Sequence, residues 1–294
     1  MSNKNPLQRL PSPAPASLSA VIHIIGLSSF LASFRYLSID PTPINDSYGW
    51  HFQFLTIIGL ALAVLTFFAG ALADLSTSPA LFRLKNTLSI CTTPLQVLIS
   101  ILYWTLRTVD KSLVIPDWAQ LPLLADLSFH AFPSILLTAD LLLFSPPWTV
   151  SATQAFALSS AIAFLYWPWV ETCAQHNGYY PYPIFDLVGT KGRVGLFTMS
   201  ALVMTGSTVM LKALYEKVNG KEESSGSSRQ GHGTPLDESS LPEAASGMAK
   251  QVGWMAKGMV EEGGEPEALD ESSIPEAAGG IARQADYMIK GTRD

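Results

Sequence analysis

Thr56, His130 and Asp126 are the residues of this chain whose types and spacing could do chemistry. A hydroxyl beside an imidazole makes a nucleophile, because the ring takes the hydroxyl proton while the oxygen attacks a carbonyl. Asp126 lies one helical turn before His130. It could orient the ring as a third member of the set, or reach back to the membrane interface, and its place near the start of an apolar run favours the interface. All three acidic and imidazole groups of the run Leu121 to Phe144, Asp126, His130 and Asp140, need a partner, a cavity or a task, since such groups are costly inside a bilayer. At ~100° per residue Asp126 falls about 40° from His130 and Asp140 about 80°, with Ser134 and Thr138 on the other flank of the same arc. One polar stripe faces inward.

These residues need elements to position them. Six apolar runs are long enough to cross a membrane: Leu18 to Tyr36, Phe52 to Leu75, Leu88 to Leu106, Leu121 to Phe144, Val150 to Val170 and Val194 to Tyr215. The expected fold is an all-α, polytopic six-transmembrane-helix bundle. Ser145-Pro146-Pro147-Trp148 is so short that the fourth and fifth helices are antiparallel neighbours, and proline makes the break firm. An even count puts both termini on one face. Placing them in the cytoplasm puts Lys4, Arg9, Arg83, Lys85, Lys212, Lys217 and Lys221 inside and Arg35, Arg107, Lys111, Lys191 and Arg193 outside, a weak positive-inside bias.

The second and fourth helices both enter from the face that carries the long loops. At ~1.5 Å per residue Thr56 lies about 6 Å and His130 about 13 Å along its helix, so both sit in the same half of the bilayer. The face of the second helix with Thr56 continues through Ala63, Thr66 and Gly70, small residues that suit packing against protein. Three connections cover that opening: Asp46 to His51, Pro116-Asp117-Trp118 and His176 to Pro183, with the Tyr and Trp of an interfacial belt. His176, Asn177 and Gly178 could supply backbone donors for an oxyanion or act as a lid, or simply form a solvated turn. His23 and His51 read as structural or interfacial.

In a chain of 294 residues that is 48% hydrophobic and 14% charged, composition points to a membrane protein. The net charge of -6 comes mostly from the tail and gives no sign of nucleic acid. Cys91 and Cys173 lie in separate apolar runs without ligand spacing, so neither a disulfide framework nor a metal is expected, and no cofactor. The proline-rich start lacks a clean cleavage site, which reads the first run as a retained helix. The resulting division is an N-terminal tail (1–17), the helical domain (18–216) and a mostly disordered low-complexity tail (217–294). In that tail Leu236 to Ala245 recurs as Leu269 to Ala278, a period of 33. Each copy could form a short amphipathic helix for a protein partner or a membrane surface, and a solvated appendage is the plainer reading.

The order of three features resembles one family. Tyr48-Gly49-Trp50 leads to Phe54-Leu55-Thr56; His130 is followed ten residues later by an acid; and Asn177-Gly178-Tyr179-Tyr180-Pro181-Tyr182-Pro183 follows a Trp-rich helix. This is similar to the androgen-induced family of six-helix membrane proteins, over about Leu18 to Tyr215. The resemblance implies a threonine hydrolase of fatty acid esters of hydroxy fatty acids, with Thr56 at the nucleophile position, His130 at the base position, and an endoplasmic reticulum membrane as its place. The chain departs from the pattern at Asp126, where relatives carry Asn, at the earlier Pro133, and at Asp140 in place of Glu, which bears on pocket shape and on the ester cleaved.

Two other functions fit the residues. His23, His51, His130 and His176 could be axial ligands of a haem electron carrier, although three of the four lie near one face. Alternatively Asp126 and Asp140 could belong to a proton or ion path in a non-catalytic transporter or scaffold.

Overall fold

A computed structural model describes residues 16–115 and 119–220. Lys4, Arg9, Pro116-Asp117-Trp118, Lys221 and the two tail repeats lie outside the described residues. Within them the chain is helical: α1 (Ala16–Ile39), α2 (Leu55–Ser76), α3 (Pro79–Val109), α4 (Leu123–His130), α5 (Phe132–Phe144), α6 (Ala152–Asn177) and α7 (Pro183–Asn219), with short 3-10 turns at Pro43–Asp46, Trp50–Gln53 and Lys111–Leu113. Local chemistry sets the ends. Pro79 opens α3 where no amide proton is needed. Ser151 and Gln154 form a reciprocal capping box at the start of α6, and Gly178 ends it in the left-handed conformation (φ 76°).

Four of the helices are long and apolar enough to cross a membrane by length and composition, or five if the bent pair α4/α5 is one span, so the expected six is not reproduced by that measure. Two sequence features account for the difference. Pro133 lacks the amide proton of a continuing helix and its ring collides with the preceding turn, so the run Leu121 to Phe144 breaks at Ala131 with a bend of 42°. The 26-residue α6 is long enough, but Tyr166-Trp167-Pro168-Trp169 and Ser159-Ser160 dilute its aliphatic content.

Helix α3 packs against α2, α5 and α7, while α1 covers α2 and α6 covers α7. Thr56, Ala63, Thr66 and Gly70 are all buried, as their small size predicts, and Thr66 Oγ1 lies 3.2 Å from Thr92 Oγ1 of α3. Ile24, Ile25, Leu65, Phe68 and Leu165 point outward and supply the apolar exterior a bilayer demands. Side-chain contacts fix the topology. Tyr215 and Asn219, near the end of α7, bond to the carbonyls of Ser145 and Leu142 at the end of α5, and His23, near the start of α1, meets Asp140 of α5. Both ends of the described chain therefore lie on the face of the α5–α6 turn, opposite Thr56.

Candidate active site

Thr56 stands in the first turn of α2 and is 7% exposed. Thr66, Thr172, Thr198 and Thr205 return their hydroxyls to the carbonyl four residues back, the usual arrangement in membrane helices. Thr56 does not. The carbonyl four residues before it, on Phe52, accepts from Trp169 Nε1 at 2.9 Å, and the Thr56 hydroxyl is hydrogen-bonded to Tyr182. Both line a cavity of about 110 Å³ between α2, α3, α6 and α7. Its walls are mostly Leu, Ile, Phe and Met, and its polar lining is Thr56, Tyr103, Ser159, Tyr166, Tyr182 and Ser200. Burial pushes the Tyr182 phenol up, and hydrogen bonds from the Thr56 side chain and from the Thr56 and Leu55 backbone to its oxygen pull the other way.

His130 ends α4 at the break before Pro133 and is 8% exposed. Its Nδ1 lies 2.9 Å from Asp126 Oδ1, and because an ionised carboxylate only accepts, Nδ1 carries the proton. That tautomer leaves Nε2 as the basic nitrogen, the arrangement of a catalytic histidine held by an acid. Asp126 is fully buried rather than extended to the interface, which corrects the expectation for it. Its carboxylate also accepts from Tyr103 and pairs with Arg107, and Arg107 Nη1 donates to the Tyr103 hydroxyl at 2.8 Å. A buried acid with a cation and two further hydrogen bonds has no reason to leave for the interface.

No hydrogen bond joins Thr56 to His130, and His130 is not among the residues that line the cavity. Tyr103 connects them. It lines the cavity with Thr56 and stacks on the His130 ring with centroids 3.4 Å apart and planes within 2°.

His176, Asn177 and Gly178 have another task. Asn177 accepts from the Tyr48 amide at 2.8 Å and donates to the Tyr48 carbonyl at 3.1 Å, which pins the end of α6 to the α1–α2 connection. His176 stacks on Tyr48 with centroids 4.1 Å apart. The Gly178 amide caps α6 by donating to Ala174 at 2.8 Å, so it has no proton left for an oxyanion. None of the three lines the cavity. The polar group that this connection does bring to Thr56 is Tyr182, which the sequence showed only as one aromatic among several. Arg107 and Tyr103 were likewise missed. Their spacing of four residues at the end of α3 was the available signal, but it gives no hint of the helix they face.

A family model described as FAR-17a/AIG1-like protein matches residues 18–216. A UPF0641 membrane protein of the fission yeast Schizosaccharomyces pombe is 33% identical over 200 residues, covering 67% of this chain and 90% of the yeast protein. No solved structure matches.

Proposed function

The chain belongs to the FAR-17a/AIG1-like family of membrane proteins, and from the surroundings of Thr56 we propose that it is an intramembrane hydrolase of lipid esters. The observation that carries this reading is a threonine hydroxyl free of its own helix, lining an apolar cavity whose wall residue Tyr103 stacks on a histidine held by an acid.

An ester of a fatty acid, such as one formed with a hydroxy fatty acid, lays its acyl chain among Leu95, Ile99, Phe197 and Met204 and brings its carbonyl to Thr56. The Thr56 oxygen attacks the carbonyl carbon and its proton passes to His130 Nε2, directly once the cavity is filled or through one water. Tyr182 donates to the developing oxyanion. The tetrahedral intermediate expels the alcohol, which takes the proton from His130, and leaves an acyl-Thr56 ester. Water attacks that ester with His130 as base, releasing the fatty acid and restoring Thr56. Asp126 holds Nδ1 throughout, and Arg107 keeps Asp126 ionised.

The protein works within an endoplasmic reticulum membrane with both termini cytoplasmic. Labelling with a lipid-like fluorophosphonate tests the chemistry. Wild-type protein is expected to label and Thr56→Ala and His130→Ala to lose the label. Labelling that persists in Thr56→Ala removes the nucleophile. A haem carrier is less well served, because both ring nitrogens of His23 are engaged by carboxylates.

A further inference from the structure

Four ionisable side chains converge at the end of the bundle away from Thr56. His23 comes from α1, Asp74 from the last turn of α2, Lys85 from the second turn of α3 and Asp140 from α5, and none is more than 6% exposed. His23 Nδ1 lies 2.7 Å from Asp74 Oδ2, and Nε2 lies 3.1 Å from Asp140 Oδ1. Lys85 Nζ is 2.6 Å from Asp140 Oδ2 and donates to Ser145 Oγ at 2.7 Å. Gly70 makes room for the imidazole, since a Cβ there would sit 2.5 Å from Nε2. Phe67 closes one side of the ring edge-on, with centroids 5.1 Å apart.

The contacts fix a proton count. A neutral imidazole has one N–H, yet both ring nitrogens here face carboxylate oxygens, and ionised carboxylates donate nothing. With one ring proton, a bare nitrogen would lie against an oxygen lone pair in a buried site. With two, both contacts are charge-assisted hydrogen bonds. Charge leads to the same count. Asp74 and Asp140 bring two negative charges and Lys85 one positive, so a protonated His23 makes the cluster neutral. Without that proton a net negative charge stays uncompensated in the apolar interior. Asp74 has an open position: its Oδ1 is buried and has no hydrogen-bond partner. It also lies within two residues of the end of α2, beside the exposed Ser76 and Thr77.

We infer that His23, Asp74, Asp140 and Lys85 form a binding site for one proton, held by His23 between two carboxylates and exchanged through Asp74 with water on the face of the α5–α6 turn. The site is separate from the Thr56 cavity and does not depend on the proposed hydrolysis. The charged groups around the ring are Asp74 from α2, Lys85 from α3 and Asp140 from α5. Ser145 bridges Lys85 to Asp140 Oδ2, Tyr215 of α7 donates to the Ser145 carbonyl, and α4 meets α1 through the hydroxyls of Ser128 and Ser33. Because the bound proton lets both ring nitrogens donate, to α2 and to α5, its release costs α1 one of those two hydrogen bonds.

Ring-nitrogen chemical shifts of isotope-labelled histidine, read on the full chain in lipid nanodiscs, test the inference. The His23 signals are assigned by their loss in His23→Gln, or, where that variant does not fold, by their shift in Asp74→Asn. At neutral pH the wild-type His23 is expected to show two protonated nitrogens, and to convert reversibly to a neutral form as the pH is raised. Asp74→Asn removes one negative charge and supplies an amide donor to Nδ1, so its His23 is expected to be a neutral ring with the proton on Nε2. A singly protonated ring in the wild type, or the same doubly protonated ring in Asp74→Asn, overturns the site. So does a wild-type ring that stays doubly protonated until the protein unfolds, which would make the cluster a fixed ion pair.

Discussion

Tyr103 lies flat on His130, with ring centroids 3.4 Å apart and an interplanar angle of 2°, while its hydroxyl donates to Asp126 and receives from Arg107. One side chain thus sets the plane of the imidazole and ties its acid to a cation. Tyr103→Phe keeps the stack and removes the hydroxyl, so it is expected to lower thermal stability by about 1–2 kcal/mol and to retain weak fluorophosphonate labelling. Tyr103→Ala removes the stack as well and is expected to abolish labelling. Equal labelling of wild type and Tyr103→Ala would separate Tyr103 from the site.

Asp126→Asn should be worse than its size suggests. The amide can still accept from His130 Nδ1, but Arg107 loses its counter-charge in a partly buried position. Breaking such a pair from one side costs about 3–5 kcal/mol when fully buried, and Arg107 retains some solvent contact, so the lower end applies. Arg107→Gln combined with Asp126→Asn relieves the stranded cation. The double variant is expected to recover melting temperature but not ester turnover, and recovery of both would make Asp126 a purely structural acid.

The polar stripe of α4 and α5 was legible in the sequence because helical periodicity puts Asp126, His130 and Asp140 on one arc. The partners of these residues were not. Lys85 and Asp74 stand one or two turns from helix ends, where a charge normally reaches water, so by sequence Lys85 reads as one of the surface charges of the loops. Whether such a side chain reaches water or folds inward depends on the neighbouring helix, which no single-helix pattern encodes. The same reason hid Arg107. Pro133 was visible only as a departure from the family pattern; the run was read as one helix, and the bend that places His130 beside Tyr103 of α3 came from the structure.

Gly70 reports on the second cluster. A methyl group at this position would lie 2.5 Å from His23 Nε2 and 2.6 Å from Cε1, so Gly70→Ala must displace a ring held by two carboxylates. Overpacking at such a site costs about 1–3 kcal/mol, offset in small part by the better helix propensity of alanine. A lower melting temperature is expected, with fluorophosphonate labelling unchanged at temperatures where the protein is folded. A neutral or stabilising substitution would show that His23 has room to move.

The α1–α2 connection carries an acid-sensitive group. His51 is 5% exposed and burial pushes it down to about 4, with Nε2 donating to Asn45 Oδ1 at 3.1 Å. An unfolded histidine titrates near 6.5, so between about 6.5 and 4 the unfolded chain binds the proton first. Stability therefore falls as the pH drops through that window, by about 1–2 kcal/mol at pH ~5. Comparing wild type with His51→Gln isolates the effect. The variant is expected to lose less stability between neutral and mildly acidic pH, and equal slopes would mean that His51 is solvated.

Asn177 distinguishes a stitch from a catalytic donor. Its side chain makes two hydrogen bonds to the Tyr48 backbone, and Gly49 next to it adopts φ 81° with no room for a side chain, since a Cβ would meet Cys173 Sγ at 2.8 Å. Asn177→Ala is expected to loosen this junction by about 1–3 kcal/mol, seen as faster hydrogen exchange at Tyr48. Because Tyr166 and Trp169 still hold Gln53 and Phe52 through their carbonyls, the start of α2 stays in place. Labelling of Thr56 should therefore fall no more than a few-fold. A folded Asn177→Ala protein without labelling would return Asn177 to the reacting centre and displace Tyr182 from the donor role.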